Sequence, residues 1–189
     1  MNDTRFWGIP ILAITFLIVA AYFLRKQNSF LNIREIVCDY CKMLSSGLHR
    51  VVFMATPISF GIGLALIAPI TVSVMETVCT AISILLGLLF ATLGAIAGGN
   101  GQKEKVRPQT YSMVFNETIN TILYLSCLSI ADLMALFMGL ALVPFYETLQ
   151  QFCMGMLRLG GSFVVYALTF SIFLNCLIVI KRIARLMEK

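Results

Sequence analysis

Charge is what this chain has least of. Only 12% of its 189 residues are Asp, Glu, Lys or Arg, where a soluble domain carries about a quarter. Histidine is nearly missing too, with His49 alone. One histidine excludes a two-histidine metal site within a single chain, and no HExxH or Ser–His–acid set can be assembled from these residues. No strand-like alternation is present, so no glycine-rich phosphate loop follows a strand. These gaps argue against an enzyme, and against a bound cofactor or metal. Cys38 and Cys41 with His49 resemble half a zinc site, but a structural site takes four ligands, and only Asp39 stands nearby. The six cysteines form no disulfide framework, because three fall inside apolar runs and two on the side expected to stay reduced.

What the chain has instead is long uncharged stretches. Hydrophobic residues make up 59%, and they come in runs rather than in alternation. Phe6–Leu24, Val51–Met75, Thr77–Gln102 and Leu159–Ile180 carry no charge. Each passes the roughly 18 residues that mark a spanning helix. Thr118–Tyr146 is as long and carries one charge, Asp132, near its middle. The expected fold is all-α: five transmembrane helices over about 6–24, 51–75, 77–97, 118–146 and 160–180, in one membrane domain spanning 1–189. The first apolar run is longer than a signal-peptide core and lacks an A-x-A site after it, so it reads as a retained helix.

The net charge of +5 does not imply nucleic acid. If the N-terminus is outside, the inner segments are 25–50, 99–117 and 181–189. They hold every Lys and Arg except Arg5 and Arg158, twelve of fourteen. That bias predicts an N-out, C-in orientation and the inner leaflet as the natural contact for these cations. Small size and short loops suggest a bacterial inner (plasma) membrane.

Between the first two spans, Asn32 and Glu35 form a capping-box pattern. Ile33, Ile36, Val37, Tyr40, Cys41, Leu44 and Leu48 then recur at helical spacing. This predicts an amphipathic helix over about 33–48, lying on the cytoplasmic membrane surface or docked on neighbouring spans. Pro57, Pro69, Gly61 and Gly63 in the second span predict a kinked helix buried against others, since proline frees backbone carbonyls that need partners. Glu76 is expected to mark a tight hairpin. In the third span Thr80, Ser83, Gly87, Ala91, Gly94 and Gly98 lie on one face, a small-residue stripe that lets another helix approach closely.

The fourth span holds the functional candidates. Tyr111–Asn120 is expected to start as an interfacial segment. Glu117, Asn120, Thr121, Tyr124, Asp132, Ala135 and Gly139 share one helical face; Ile122, Leu123, Ile130, Leu133, Phe137 and Leu140 oppose it. A charge at mid-membrane depth costs roughly 3 kcal/mol on insertion scales, so Asp132 needs a partner, water or a role. The fifth span adds Ser162, Tyr166, Thr169 and Asn175, after an apolar outer link at 147–158. No internal repeat is evident, and no motif is specific enough to name a family.

Two functions follow from these residues. The first is a homo-oligomeric ion channel or pore, with Asp132, Glu117, Asn120, Thr121 and Tyr124 lining the path and the stripe on the third span joining subunits. The second is a non-conducting structural subunit of a larger secretion or transport complex, burying the same faces against unlike membrane chains. An oligomeric proton-coupled transporter ranks below both.

Overall fold

The structure, a computed structural model, describes residue 14 and residues 33–43, 47–99, 109–143 and 151–187. The span expected at 6–24 lies outside the described residues, Ile14 apart. The described residues form five helices of known bounds: α1 (Ile33–Met43), α2 (Gly47–Ile67), α3 (Val72–Gly99), α4 (Gln109–Leu142) and α5 (Gln151–Met187). The segments Val72–Ile96, Val114–Leu142 and Arg158–Ala184, of 25, 29 and 27 residues, are long and apolar enough to cross a membrane. The chain is therefore an all-helical integral membrane protein. The apolar part of α2, Val51–Ile67, is shorter.

The helices stand in a row. α2 packs on α5, α5 on α4 and α4 on α3, while α1 lies against α4. Contact pairs give their directions. Phe60 stacks on Phe170, while Tyr166 reaches Ala68; Asp132 meets Thr169, while Thr121 meets Arg182. Numbers rise in one helix as they fall in its neighbour, so both pairs are antiparallel. Met75 lies against Gly139, and Ile82 and Leu89 pack with Ile122, Leu125, Ile172 and Val179, so α3 also runs antiparallel to α4. The outward faces carry Ile84, Leu88, Phe90, Phe137, Phe173 and Leu177, each at least 50% exposed. Large apolar side chains pointing away from the bundle suit a lipid solvent.

The expected hairpin at Glu76 is a correction. The chain turns earlier, over Ala68–Thr71, and Glu76 lies inside α3. Pro69 supplies the break, since it cannot continue the hydrogen-bond ladder. Thr71 caps the next helix, accepting from the Val74 N–H at 3.4 Å, as an N-terminal Thr does. The freed backbone groups find partners on α5: the Ile70 N–H donates to Ser162 Oγ at 2.9 Å, and Tyr166 Oη donates to the Ala68 carbonyl at 3.0 Å. Pro57, by contrast, is buried within an unbroken α2. Because Ile70 is 4% exposed, Ser162→Ala leaves its N–H without a partner. A loss of about 1–3 kcal/mol is expected, read as a lower unfolding midpoint in detergent.

Two further expectations are revised. α4 is continuous from Gln109, so Tyr111–Asn120 is not a separate interfacial segment. The outer link is shorter than 147–158, because α5 is helical from Gln151. The amphipathic helix is present at Ile33–Met43; residues 44–46 of its expected range lie outside the described residues.

α2 and α5 cross closely at Gly61. A Cβ built there would lie 2.8 Å from Ala167 Cβ and 3.0 Å from both Ala167 N and Phe163 O. Only glycine lets α2 and α5 approach this far. The stripe on α3 is placed differently. Thr80, Ser83, Gly87, Ala91, Gly94 and Gly98 are all exposed. A Cβ added at Gly87, Gly94 or Gly98 would meet nothing within 4 Å. Among the described residues no helix covers that face.

Candidate functional site: a polar seam between α4 and α5

The polar residues of α4 gather where α4 faces α5 and α1. Thr118, Thr121, Ser129 and Asp132 are 0% exposed, and Ser126 is 4% exposed. Positions 118, 121, 125, 129, 132 and 136 recur every three or four residues, which puts them on one face. Most of the hydroxyls turn back on their own helix. Thr118 donates to the Val114 carbonyl, Thr121 to that of Glu117 and Ser129 to that of Leu125, at 2.7, 2.7 and 2.9 Å. Such bonds satisfy a hydroxyl in an apolar surrounding without a second helix.

Three places in the seam do reach across. At one end Arg182 of α5 bridges to α4. Its Nη1 donates to the Glu117 carbonyl at 2.9 Å and to Thr121 Oγ1 at 2.7 Å, and its Nη2 lies 3.5 Å from Glu117 Oε2. One planar guanidinium thus ties side chain, backbone and hydroxyl together.

One turn further along, Tyr124 stacks face to face on Tyr40 of α1, with ring centroids 3.9 Å apart and planes 6° from parallel. The Tyr40 hydroxyl donates to Asn175 Oδ1. Asn175 is 1% exposed and its Nδ2 donates to the Ser171 carbonyl at 2.8 Å. Burial, followed by the neighbouring Tyr124, raises the Tyr40 pKa above its ordinary value. The hydroxyl therefore stays a donor at any physiological pH. The amphipathic helix is docked, with Tyr40 inserted and Val37 and Cys38 exposed.

Asp132 is the third place. Thr169 Oγ1 donates to its Oδ2 at 2.9 Å. Its Oδ1 is buried and has no hydrogen-bond partner among the described residues, and the same is true of Ser126 Oγ. A half-satisfied buried carboxylate is rare, since each unmet acceptor costs desolvation energy without return.

Of the predicted lining residues, then, Asp132 and Thr121 are buried, Glu117, Asn120 and Tyr124 are half-buried, and all lie along α4 beside the seam. Asp132, Thr121, Glu117 and Tyr124 contact side chains of α5 or α1; Asn120 makes no hydrogen bond or ion pair among the described residues. The opposing face divides: Ile130 and Phe137 are exposed, whereas Ile122 is wholly buried in the core shared with α3. Sequence reasoning missed Thr118, Ser126 and Ser129, whose hydroxyls are hard to separate from ordinary helix filler. It also placed Arg182 only among the cations of 181–189 that face the inner leaflet. The three-and-four spacing of Ser162, Tyr166 and Thr169 was the legible signal on α5: the first two bond the Ala68–Thr71 turn and the third bonds Asp132 of α4.

Among the described residues no three of His, Cys, Asp and Glu are gathered as metal ligands would be. No protein-family model, no curated protein and no solved structure matches this chain. Its own residues make it an integral membrane protein with a buried, partly unsatisfied acid at the middle of a spanning helix.

Proposed function

We propose that the chain is a non-enzymatic bacterial inner-membrane protein of five spans, N-terminus outside, that works as a homo-oligomeric ion channel or pore. The path assigned to it follows the polar face of α4 from Glu117 and Thr121, past Asn120 and Tyr124, to Asp132. The acids at both ends of that path favour cations. The contacts of α5 and α1 with this face correspond to a shut conformation, which opens by parting α4 from α5. The exposed stripe on α3 is the surface assigned to subunit contacts.

One observation carries the reading: the Asp132 carboxylate, wholly buried, holds one oxygen on Thr169 and leaves the other open. An acid kept only to join helices is expected to use both oxygens. An open oxygen at mid-span suits a transient ligand, a proton or a small cation.

Liposomes carrying the purified full-length protein are expected to pass monovalent cations. Asp132→Asn keeps the shape and the acceptor for Thr169 but removes the charge. It should change flux or cation preference by about tenfold, the effect of about 1.4 kcal/mol on a barrier. Flux indifferent to the substitution removes α4 from the path. No flux from a well-folded wild type turns the assignment to the second reading, a structural subunit of a larger secretion or transport complex. That reading is favoured by the uncovered small-residue face of α3, and it predicts monomers when the protein is purified alone. Saturable, pH-dependent uptake would instead mark a proton-coupled carrier.

A further inference from the structure

The end of the bundle beside the Ala68–Thr71 turn holds a cavity of about 280 Å³. Its walls come from Ile70 and Met75, from α4 around Leu136 and Gly139, and from α5 between Arg158 and Val165. Among the described residues, Arg158 and Ser162 are its only polar side chains. Ser162 is already committed: it accepts from the Ile70 N–H and donates to the Arg158 carbonyl at 2.7 Å. The one polar group left for a ligand is the guanidinium of Arg158. That residue is exposed and makes no side-chain hydrogen bond or ion pair with another described residue.

Three separate facts concern Arg158. It is the first residue of the apolar stretch Arg158–Ala184, which sets it at headgroup depth. It is one of only two basic residues outside 25–50, 99–117 and 181–189, so the bias that accounts for the other cations does not account for it. And it stands on the rim of a slot whose other described side chains are apolar, the committed Ser162 apart. Gly160 and Gly161 widen the slot, because a Cβ at either would meet nothing within 4 Å.

A lone cation above an apolar slot matches an amphiphile with one anionic end. We infer that this cavity binds an anionic phospholipid, the phosphate on Arg158 and part of an acyl chain between α4 and α5 against Leu136, Gly139 and Val165. The guanidinium offers a fork of donors to two phosphate oxygens. A zwitterionic headgroup places its own cation beside that guanidinium and is held less well. The site does not depend on what, if anything, passes along the α4 seam, and it lies at the opposite end of α5 from Arg182.

The test is a lipid titration of the full-length protein in detergent, read by native mass spectrometry, with phosphatidylglycerol and phosphatidylcholine as probes. Wild type is expected to take one phosphatidylglycerol per chain at about a tenth of the phosphatidylcholine concentration, the worth of one charge-assisted contact. Arg158→Gln should make the two lipids equal, and Arg158→Lys should keep part of the preference as a point charge. Gly160→Leu, which fills the slot, should weaken both. Millimolar inorganic phosphate should leave the phosphatidylglycerol titration unchanged, because the headgroup alone lacks the apolar contact. Equal binding of both lipids to wild type overturns the assignment. So does a preference that survives Arg158→Gln, or phosphatidylglycerol displaced by free phosphate.

Discussion

Gly61→Val is expected to be the most damaging single change in the described part of the chain. The Cβ it adds would sit 2.8 Å from Ala167 Cβ and 3.0 Å from the Ala167 nitrogen and the Phe163 carbonyl oxygen. Two of these three atoms are helix backbone, which cannot rotate away as a side-chain tip can. The helices must separate instead. Separation loosens the Phe60–Phe170 stack, with centroids 4.0 Å apart, and the Tyr166 bond to Ala68. Overpacking of this kind costs about 1–3 kcal/mol, and more when backbone must move. Gly61→Ala should fall in that range and Gly61→Val above it, measured as the unfolding midpoint in a denaturing-detergent titration. Gly63→Ala is the control. Its added methyl meets nothing within 4 Å, and losing a helical glycine is worth up to about 1 kcal/mol in its favour. Equal losses at 61 and 63 would show that the α2–α5 crossing is not as close as described.

Arg182→Gln should be the second largest loss, about 2–3 kcal/mol by the same measurement. The ion pair is not the source of this loss. Arg182 and Glu117 are 21% and 40% exposed, and pairs so open to their surroundings are worth little after screening. The energy lies in the two hydrogen bonds, to the Glu117 carbonyl and to the fully buried Thr121. Arg182→Lys should recover only part, since an ammonium lacks the fork. A double-mutant cycle with Glu117→Gln should then give a coupling below about 1 kcal/mol. A larger coupling would move the credit back to the charges.

Much of this architecture was legible from sequence. Long apolar runs located α3, α4 and α5, because hydrophobic length is set by the bilayer and not by tertiary detail. Asp132 stood out for the same reason, and its partner proved to be a Thr from the facing helix. The amphipathic spacing around Tyr40 found α1 but not the helix it docks on. What stayed hidden has physical causes. The run from Val51 to Met75 is continuous in hydropathy, so the turn inside it is signalled only by Pro69 and by Thr71 as a cap. Two prolines in one run had different fates: Pro57 is carried within a helix, and Pro69 ends one. The glycines misled in a similar way. Gly94 and Gly98 have the ideal spacing for close packing and touch no other described helix, while Gly61, with no glycine four residues away, touches backbone. Spacing tells which residues share a face; it does not tell which face is used.

The position of α5 in the row has a consequence for how the molecule is made. Synthesis delivers α2, α3 and α4 before α5, yet α5 lies between α2 and α4. It carries Ser162 and Tyr166, which serve backbone groups of the turn 92 and 98 residues earlier in the chain. It also carries Thr169 for Asp132 and Arg182 for Thr121. Until it arrives, an open turn and a lone carboxylate have only lipid, water or the insertion machinery to face, and lipid offers neither of them a partner. The earlier helices therefore wait, as a half-built set, for the one that interlocks them, and the interval between their emergence and its arrival is when this chain is most exposed to degradation or to unlike partners.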